Sequence, residues 1–249
     1  MNARVNQRGL MAYVFDLENL HRRLAGMPTD FSGAQPYPHI VFDDFLRTDD
    51  AQRLAAAFPH ADDAVVWDRF GARGYEVKRG SSDEASFPSP LREALHDLNS
   101  GPFVSWLEKL TGIEHLLPDP HLVGGGLHLS GPGDHLGIHA DFNWHERLQA
   151  HRRLNLLIYL TPEAWQSDWG GALELWSTDA DHCERVVEPR FNRAVLFSTR
   201  SDTFHGHPQA WAAPDGIWRQ SLALYYYTTS RPSIEQRDPH NTLYKGYHV

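Results

Sequence analysis

The chain has 249 residues, a formal net charge of -9 and a hydrophobic fraction of 41%. This length and apolar content suit one compact globular unit with a substantial core. The acidic balance disfavours a nucleic-acid partner, because such binding depends on clusters of Lys and Arg that neutralise phosphates, and the sequence contains no such run.

The sequence also carries signals about its compartment. Its single cysteine, Cys183, cannot close an intrachain disulfide, and the first 20 residues carry charges where a signal peptide needs an apolar core. No stretch approaches the roughly 20 apolar residues of a membrane span. We therefore expect a cytoplasmic protein without a membrane partner, and the sequence leaves the oligomeric state open.

The first half of the chain is predicted to be helical. Gly26 and Pro28 are typical of the end of a first helix. Thr48 is typical of the N-cap of a second helix, and Gly112 is typical of the end of a fourth. The four predicted helices cover residues 10–24, residues 48–58, a segment opened by Ser89-Pro90, and about 102–110. These helices are expected to support a sheet.

From residue 122 onward the pattern becomes that of short strands separated by Gly/Pro turns, such as Gly131-Pro132-Gly133 and Gly170-Gly171. Eight strands are predicted, over residues 122–129, 136–140, 153–160, 172–176, 185–188, 194–198, 203–207 and 219–229. Eight short strands of this kind favour a sandwich or jelly roll. The predicted fold class is mainly β with flanking helices.

A candidate metal site lies at the end of the second predicted strand. Side chains two residues apart share one face of a strand, so His139 and Asp141 can point at one ion, with His205 as a third ligand from a distant strand. Two imidazoles and one carboxylate form the facial triad that suits non-haem Fe(II). A second His-x-Asp, His60-Ala61-Asp62, follows a predicted helix in a polar stretch and is interpreted as surface, since roughly one such match arises by chance in this composition.

Strand alternation predicts which other side chains accompany the metal site. In the strand ending at Asp141 it places Leu136, Ile138 and Ala140 in the core, opposite the face of His135, Gly137, His139 and Asp141. In the third strand it places Leu154, Leu156, Ile158 and Leu160 opposite Asn155, Leu157 and Tyr159. At the head of the last strand, Arg219 and Ser221 share a face, which predicts an anion-binding fork on a rigid frame.

The order of these motifs resembles the Fe(II)- and 2-oxoglutarate-dependent dioxygenases, specifically their prolyl-hydroxylase-like branch. The resemblance covers about residues 124–229 and runs through Gly131-Pro132-Gly133, His139-x-Asp141, Leu156-Leu157-Ile158-Tyr159-Leu160, Gly170-Gly171-x-Leu173-x-Leu175, Pro189-x-Phe191-Asn192-Arg193, His205 and Arg219-x-Ser221. It implies a double-stranded β-helix, or jelly roll, over residues 121–232, with an N-terminal support region at 1–120 and a C-terminal tail at 233–249.

The resemblance also implies roles for single residues. His139, Asp141 and His205 match the iron ligands, and Arg219 matches the residue that pairs with the distal carboxylate of 2-oxoglutarate, with Ser221 and Tyr159 as further contacts. The implied cofactors are Fe(II), 2-oxoglutarate and O2, with ascorbate as a candidate supporting reductant. The implied reaction is hydroxylation of an aliphatic C-H with release of succinate and CO2. The carboxylate of Asp141 favours hydroxylation over halogenation, since related halogenases carry a small residue at that position.

Two departures from the family leave the substrate open between a small molecule and a peptide. His128-Leu129-Ser130 stands where many members have a tyrosine before the Pro-Gly turn, and a long Gly/Pro-containing loop separates His205 from Arg219. Prolyl specificity therefore does not carry over. Within what the resemblance implies, we favour an amino-acid residue or amino-acid-like substrate. The alternatives are a natural-product or glycan intermediate, a non-enzymatic metal-binding module, and a zinc hydrolase with the same three ligands.

Several further side chains are weighed for a place in the pocket. His128, His135 and Asn155 are candidates for contact with it, and Asn143, Trp144 and Arg152 are candidates for a substrate-covering loop. Lys78 and Arg79 are predicted to be solvated, and Trp165, Trp169 and Trp176 to be packing residues.

Overall fold

The computed structural model of the protein describes residues 12–63, 67–71 and 74–245. Its helices are α1 (Leu17–Arg23), α2 (Met27–Gly33), α3 (Thr48–Ala56), α4 (Ser89–Leu98) and α5 (Gly101–Thr111). Within the described ranges, none of these helices combines the length and apolar character needed to cross a bilayer.

The N-terminal helix prediction is wrong in its bounds. Helix α1 begins only after Asp16, whose side chain accepts a hydrogen bond from the Asn19 N–H, and residues 10–11 of the prediction lie outside the described residues. Pro28 lies in the first turn of α2, a helix that the sequence did not predict. Proline is tolerated there because N–H groups in the first turn of a helix have no acceptor within the helix, so the N–H that proline lacks is not needed. Pro28 therefore marks the start of α2 rather than the end of α1.

The other helix termini agree better with the sequence. Helix α3 begins at Thr48 with Asp49 and Asp50 in its first turn, although its N-cap is Arg47 and the predicted Thr48 cap is wrong. Helix α5 ends at Gly112, which adopts a left-handed conformation with φ of 70°. Both termini follow the usual end chemistry of helices, with acids at the positive end and glycine at the stop.

The strands are β1 (His39–Phe42), β2 (Asp68–Phe70), β3 (Glu76–Ser81), β4 (Leu117–Pro118), β5 (Gly126–Ser130), β6 (His135–Ala140), β7 (Trp144–His145), β8 (Ala150–Tyr159), β9 (Leu173–Trp176), β10 (Cys183–Val187), β11 (Ala194–Ser198), β12 (His205–His207), β13 (Arg219–Thr228) and β14 (Leu243–Tyr244). The eight predicted strands correspond to β5, β6 and β8 to β13. Strands β1 to β4, β7 and β14 were not predicted.

The strands form a curled antiparallel jelly roll. The hydrogen-bonded order is β1-β11-β8-β13-β5-β3-β6-β12-β9-β10. Strand β3 pairs with β5 through residues 79–81 and with β6 through Glu76 and Val77, so it joins the two sheets. Gly126 permits this join, because a Cβ there would lie 2.2 Å from the Ser81 carbonyl oxygen. The predicted mainly β fold is confirmed, and the division at residue 120 stays a prediction.

The helices cover the outer face of the larger sheet. Leu154, Leu156 and Ile158 of β8 and Leu222 and Leu224 of β13 are buried in one cluster with the apolar faces of α3, α4 and α5. Each such side chain contributes about 1.5–3 kcal/mol when it leaves water. The alternate residues of β8 and β13 therefore face the interior of the roll, as the sequence predicted.

Candidate active site

The three predicted ligands lie together inside the roll. Ligand atoms of His139, Asp141 and His205 all lie within 4.8 Å of one another, and all three residues are buried. The β6–β12 pairing places His205 directly opposite His139. Among the described residues this is the one group of at least three His, Cys, Asp or Glu side chains close enough to hold a metal ion.

The tautomers of both histidines suit metal binding. Nδ1 of His139 donates to the Gly137 carbonyl at 2.8 Å, and Nδ1 of His205 donates to the Thr203 carbonyl at 3.0 Å. Each ring therefore presents the lone pair of Nε2 towards Asp141, at 3.6 Å and 3.8 Å from its oxygens. Burial lowers the pKa of His205 to about 4, which keeps this imidazole neutral at neutral pH. Two imidazoles and a carboxylate fit Fe(II).

Asp141 is held by two side chains from β8. Arg152 Nη1 lies 3.0 Å from Asp141 Oδ2, and Asn155 Nδ2 donates to the same oxygen at 3.3 Å. Burial alone would raise the pKa of Asp141, but Arg152, His205 and His139 together outweigh it, and the pKa lies well below its ordinary value. Because both partners engage Oδ2, Oδ1 is left to face His139. The arrangement presents one carboxylate oxygen to the centre of the cluster.

Arg152 itself is almost fully buried, at 1% exposure, and is stacked between two rings. Its guanidinium carbon lies 3.5 Å from the ring centre of Phe142 and 3.7 Å from that of Tyr225. The sequence suggested Arg152 as a candidate for substrate contact. The structure places it beside the metal cluster as the counter-ion of Asp141, with its stem sealed by aromatic rings.

We expect Arg152→Leu to destabilise the metal-free protein by about 3 kcal/mol or more, because it leaves the Asp141 carboxylate buried without its counter-ion. Urea unfolding in the presence of a chelator measures this change. Arg147→Leu, at an exposed position five residues earlier, is the matched control and should change stability by less than about 0.5 kcal/mol. Equal stability of the two variants would contradict the role given to Arg152.

A narrow inner cavity connects the metal cluster with the predicted anion fork. It is lined by His139, Asp141 and His205 on one side and by Arg219 and Ser221 on the other. Arg219 Nη2 donates to the Tyr159 hydroxyl at 3.5 Å, and Ser221 lies opposite Tyr159 in the β8–β13 register. The structure thus brings all six predicted site residues to one cavity or its wall.

The position of Arg219 depends on the Gly170-Gly171 turn. Arg219 Nε donates to the Gly171 carbonyl at 2.8 Å, which fixes the plane of the guanidinium. A Cβ on Gly171 would lie 2.6 Å from the ring of Trp211 and 3.1 Å from Cδ of Arg219, and the residue has φ of +68°. Trp211 belongs to the long loop between His205 and Arg219, so this loop packs behind the fork rather than over the pocket mouth.

A second, outer cavity of about 230 Å³ opens on the other side of the metal cluster. Its lining includes Lys78, His128, Phe142, Arg152 and Tyr225 together with His139 and Asp141. The inner and outer cavities share Lys78, His128, Leu136, His139, Asp141 and Tyr225. The metal cluster therefore lies at the boundary between two chambers.

The prediction that Leu136 packs in the core is wrong. The register of β12 on β6 skips a residue between His205–His139 and His207–Leu136. This bulge turns Leu136 to the same side as His139, and both line the cavities. Ile138 and Ala140 are buried as predicted.

The prediction that Lys78 and Arg79 are solvated is also wrong. Their side chains are 15% and 20% exposed, because the polar segment around them forms strand β3. Lys78 points into the cavities, whereas Arg79 pairs with Asp134 at 3.1 Å on the other face of the strand. Sequence alternation of Glu76, Lys78 and Gly80 was the available signal, but the segment contains too few apolar residues to be recognised as a strand.

The remaining candidates divide between cavity and frame. His128 and Asn155 line the inner cavity, whereas His135 lies close to the carbonyls of Gly133 and Gly74. Asn143 bonds to the backbone at Asp238 and His240, and Trp144 packs on His151. Trp165, Trp169 and Trp176 contact the Gly170 carbonyl, Trp211 and Lys245, respectively, and are packing residues as predicted. His60 and Asp62 of the second His-x-Asp are exposed, as predicted.

The sequence did not predict that the C-terminal segment would reach the metal site. Leu243 and Tyr244 of β14 pair with Ala140 and His139 of β6. The ring of Tyr244 lies 5.3 Å from that of His139 and 3.9 Å from that of Tyr75, and Tyr244 lines the outer cavity. A two-residue strand gives no periodic signal, so its position depends on the tertiary fold.

Comparison with known proteins identifies the family of the roll. Residues 125–227 match the sequence profile of the 2OG-Fe(II) oxygenase superfamily. A mouse (Mus musculus) protein, prolyl 3-hydroxylase OGFOD1, is 31% identical over 130 residues, which are 50% of this chain and 22% of that protein. The chain thus spans about a fifth of the length of this relative. Residues 125–227 thus carry the sequence pattern of a 2OG-Fe(II) oxygenase domain, which confirms the predicted resemblance to that superfamily.

Solved structures share the fold at low identity. A prolyl-4-hydroxylase from Pseudomonas putida superposes with a TM-score of 0.56 at 17% identity, covering 82% of this chain and 99% of the other. HygX from Streptomyces hygroscopicus, solved with nickel, 2-oxoglutarate and hygromycin B, superposes with a TM-score of 0.52 at 9% identity, covering 82% and 92%. These likenesses support the jelly roll.

Proposed function

We propose that the protein is an Fe(II)- and 2-oxoglutarate-dependent dioxygenase that hydroxylates an aliphatic C-H of an amino-acid residue or an amino-acid-like molecule. The observation that carries this proposal is one cavity that joins two Nε2 lone pairs and a carboxylate to a buried arginine. The hydrolytic mechanism of a zinc enzyme would give no role to Arg219, the buried arginine in this cavity. We also propose a cytoplasmic location, which the single cysteine supports.

Each side chain has a defined part in this proposal. Nε2 of His139, Nε2 of His205 and Oδ1 of Asp141 would hold iron, while Arg152 and Asn155 fix the orientation of the carboxylate. Arg219 would bind the distal carboxylate of 2-oxoglutarate through its planar guanidinium, with Tyr159 and Ser221 supplying hydroxyl groups. Leu157 and Leu173 line the same cavity and exclude water from it.

Bound iron and 2-oxoglutarate supply the oxidation: O2 gives one oxygen atom to succinate and one to the hydroxylated product, and CO2 is released. The residues of the chain position the target C-H and exclude water from the cavity. They also hold the distal carboxylate of 2-oxoglutarate, at Arg219, away from the carboxylate of Asp141. The substrate is a small molecule or a peptide, and it enters by the outer cavity, which borders the metal cluster on the side away from Arg219.

An anaerobic titration tests this function without knowledge of the substrate. Fe(II) followed by 2-oxoglutarate should give a weak visible charge-transfer band in the wild type, which reports bidentate chelation. The band should be absent in His139→Ala and unchanged in His60→Ala, which alters the exposed His-x-Asp. A protein that binds metal tightly but gives no band would be a zinc enzyme or a binding module instead.

A further inference from the structure

Lys78 is a largely buried cation, with its side chain 15% exposed, that the proposed mechanism does not use. It lies on β3 and lines both the inner and the outer cavity. Among the described residues its ion-pair partner is Glu76, and the Nζ to Oε2 distance is 3.9 Å, at the long end for an ion pair. Nζ also lies 5.4 Å from the ring centre of Phe70. An ammonium so enclosed, with so distant a partner, is poorly compensated.

The other charges around the two cavities are already matched. Arg152 is paired with Asp141 at 3.0 Å, and under the proposed function Arg219 takes the distal carboxylate of 2-oxoglutarate. His128 carries no charge, because burial and the nearby Lys78 lower its pKa to about 3. Burial likewise holds the pKa of His207 well below its ordinary value. Asp68 lies at the exposed rim of the outer cavity, where water screens it.

Loading adds two positive charges with Fe(II) and two negative charges with 2-oxoglutarate, so the net positive charge of the site does not fall. Lys78 is then the cation that still lacks a close partner in the loaded site. Glu76 cannot serve it fully, because its carboxylate oxygen lies 3.9 Å from Nζ. A buried positive charge of this kind favours a ligand that brings its own negative group.

We propose that Lys78 binds a carboxylate of the molecule that is oxidised, and hence that the substrate class is small carboxylates of amino-acid type. The inference rests on the proposed function, since it places the target beside the iron ligands. The outer cavity, at about 230 Å³, is smaller than pockets for drug-sized ligands and suits a single amino-acid unit. Lys78 lies at the boundary of the two chambers, so its carboxylate partner would hold the neighbouring C-H groups close to the metal cluster.

Paramagnetic relaxation of simple probes tests this inference. The protein is loaded with Mn(II) and N-oxalylglycine, a redox-inert mimic of 2-oxoglutarate, and the acetyl protons of three probes are followed by NMR. N-acetylproline carries a main-chain carboxylate, N-acetylprolinamide carries none, and N-acetylprolyl-glutamic acid α-amide carries a side-chain carboxylate within a peptide. The two acidic probes distinguish a free amino acid from an acidic peptide as the source of the carboxylate.

We expect N-acetylproline to bind about ten-fold or more tightly than its amide in the wild type. Lys78→Met keeps the length of the side chain and removes its charge, so it should abolish this preference, and Lys78→Arg should retain part of it. Lys109→Met, at an exposed position on α5, is the matched control and should behave as the wild type. Preference for the peptide probe would assign the carboxylate to an acidic peptide.

Three outcomes would overturn the inference. They are equal relaxation of all probes, relaxation of none, and an unchanged carboxylate preference in Lys78→Met. The binding of Mn(II) and N-oxalylglycine is measured first in every variant. Failure at that step would count against the proposed function, whereas normal loading without a carboxylate preference would count against the substrate class alone.

Discussion

Substitution of His139 by Ala is expected to abolish succinate formation from 2-oxoglutarate while the protein stays folded. His139 offers one of the three ligand atoms of the cluster. Its removal should lower activity by more than the roughly 10–100-fold that follows the loss of a residue that only hydrogen-bonds to a metal ligand. Its removal breaks the hydrogen bond from Nδ1 to the Gly137 carbonyl but leaves the Arg152–Asp141 ion pair intact. Succinate release at saturating Fe(II) measures the effect.

Asp141 needs a milder substitution than alanine. Asp141→Ala would leave Arg152 buried without a counter-ion, and the resulting loss of stability, about 3–5 kcal/mol, would obscure the loss of metal binding. Asp141→Asn also removes the negative charge, but it keeps the volume and an oxygen that can accept a hydrogen bond from Arg152, so it should cost less stability than alanine. It should bind Fe(II) weakly and release little succinate, with thermal unfolding followed in parallel to confirm the fold.

The exposed pair His60 and Asp62 provides the control for both substitutions. His60→Ala and Asp62→Asn change the same residue types in the same His-Ala-Asp sequence, but outside the cavity. Both should release succinate at the wild-type rate. Wild-type turnover by His139→Ala would remove this residue from the ligand set and, with it, the metal site proposed here.

The sequence was informative wherever side chains repeat along an apolar strand. Alternation in β8 and β13 placed Asn155, Tyr159, Arg219 and Ser221 on the cavity side, because the opposite face is continuous Leu and Ile. The same signal failed in β6, where a bulge shifts Leu136 into the cavity. A bulge depends on pairing with a strand about 70 residues away and leaves no trace in local alternation.

Features set by long-range pairing of polar segments were not predictable. Strand β3 is polar on both faces, and only its pairing with β5 and β6 buries Lys78 beside the cluster. Arg152 follows the same logic: a double arginine at the start of a strand does not tell which side chain is buried, and here Arg152 pairs with Asp141 while Arg153 approaches Glu235. The meeting of His139, Asp141 and His205 was predictable from the sequence, whereas the charged side chains around them were not.

Substitution of Arg219 by Ala should weaken the binding of 2-oxoglutarate by about 30-fold to 1,000-fold or more. Removing one partner of a buried, hydrogen-bonded charge pair costs about 2–5 kcal/mol, and the co-substrate carboxylate would then lie unpaired in the cavity. Titration of the visible band of the anaerobic Fe(II) protein gives the dissociation constant directly. Arg237→Ala, at an exposed position, is the control for the lost charge and should bind as the wild type.

The conservative variant separates charge from shape. Arg219→Lys restores a positive charge but loses both the planar fork and the hydrogen bond from Nε to the Gly171 carbonyl, so it should recover only part of the affinity. Full recovery would mean that Arg219 acts as a point charge, and equal affinity in the wild type and Arg219→Ala would mean that another group binds the distal carboxylate. Lys78 is the cation within the same cavity that could do so. The double variant Arg219→Ala/Lys78→Met then decides between them: if Arg219 is the anion clamp, adding Lys78→Met should change the 2-oxoglutarate affinity little, since Lys78 would make no contact with the distal carboxylate.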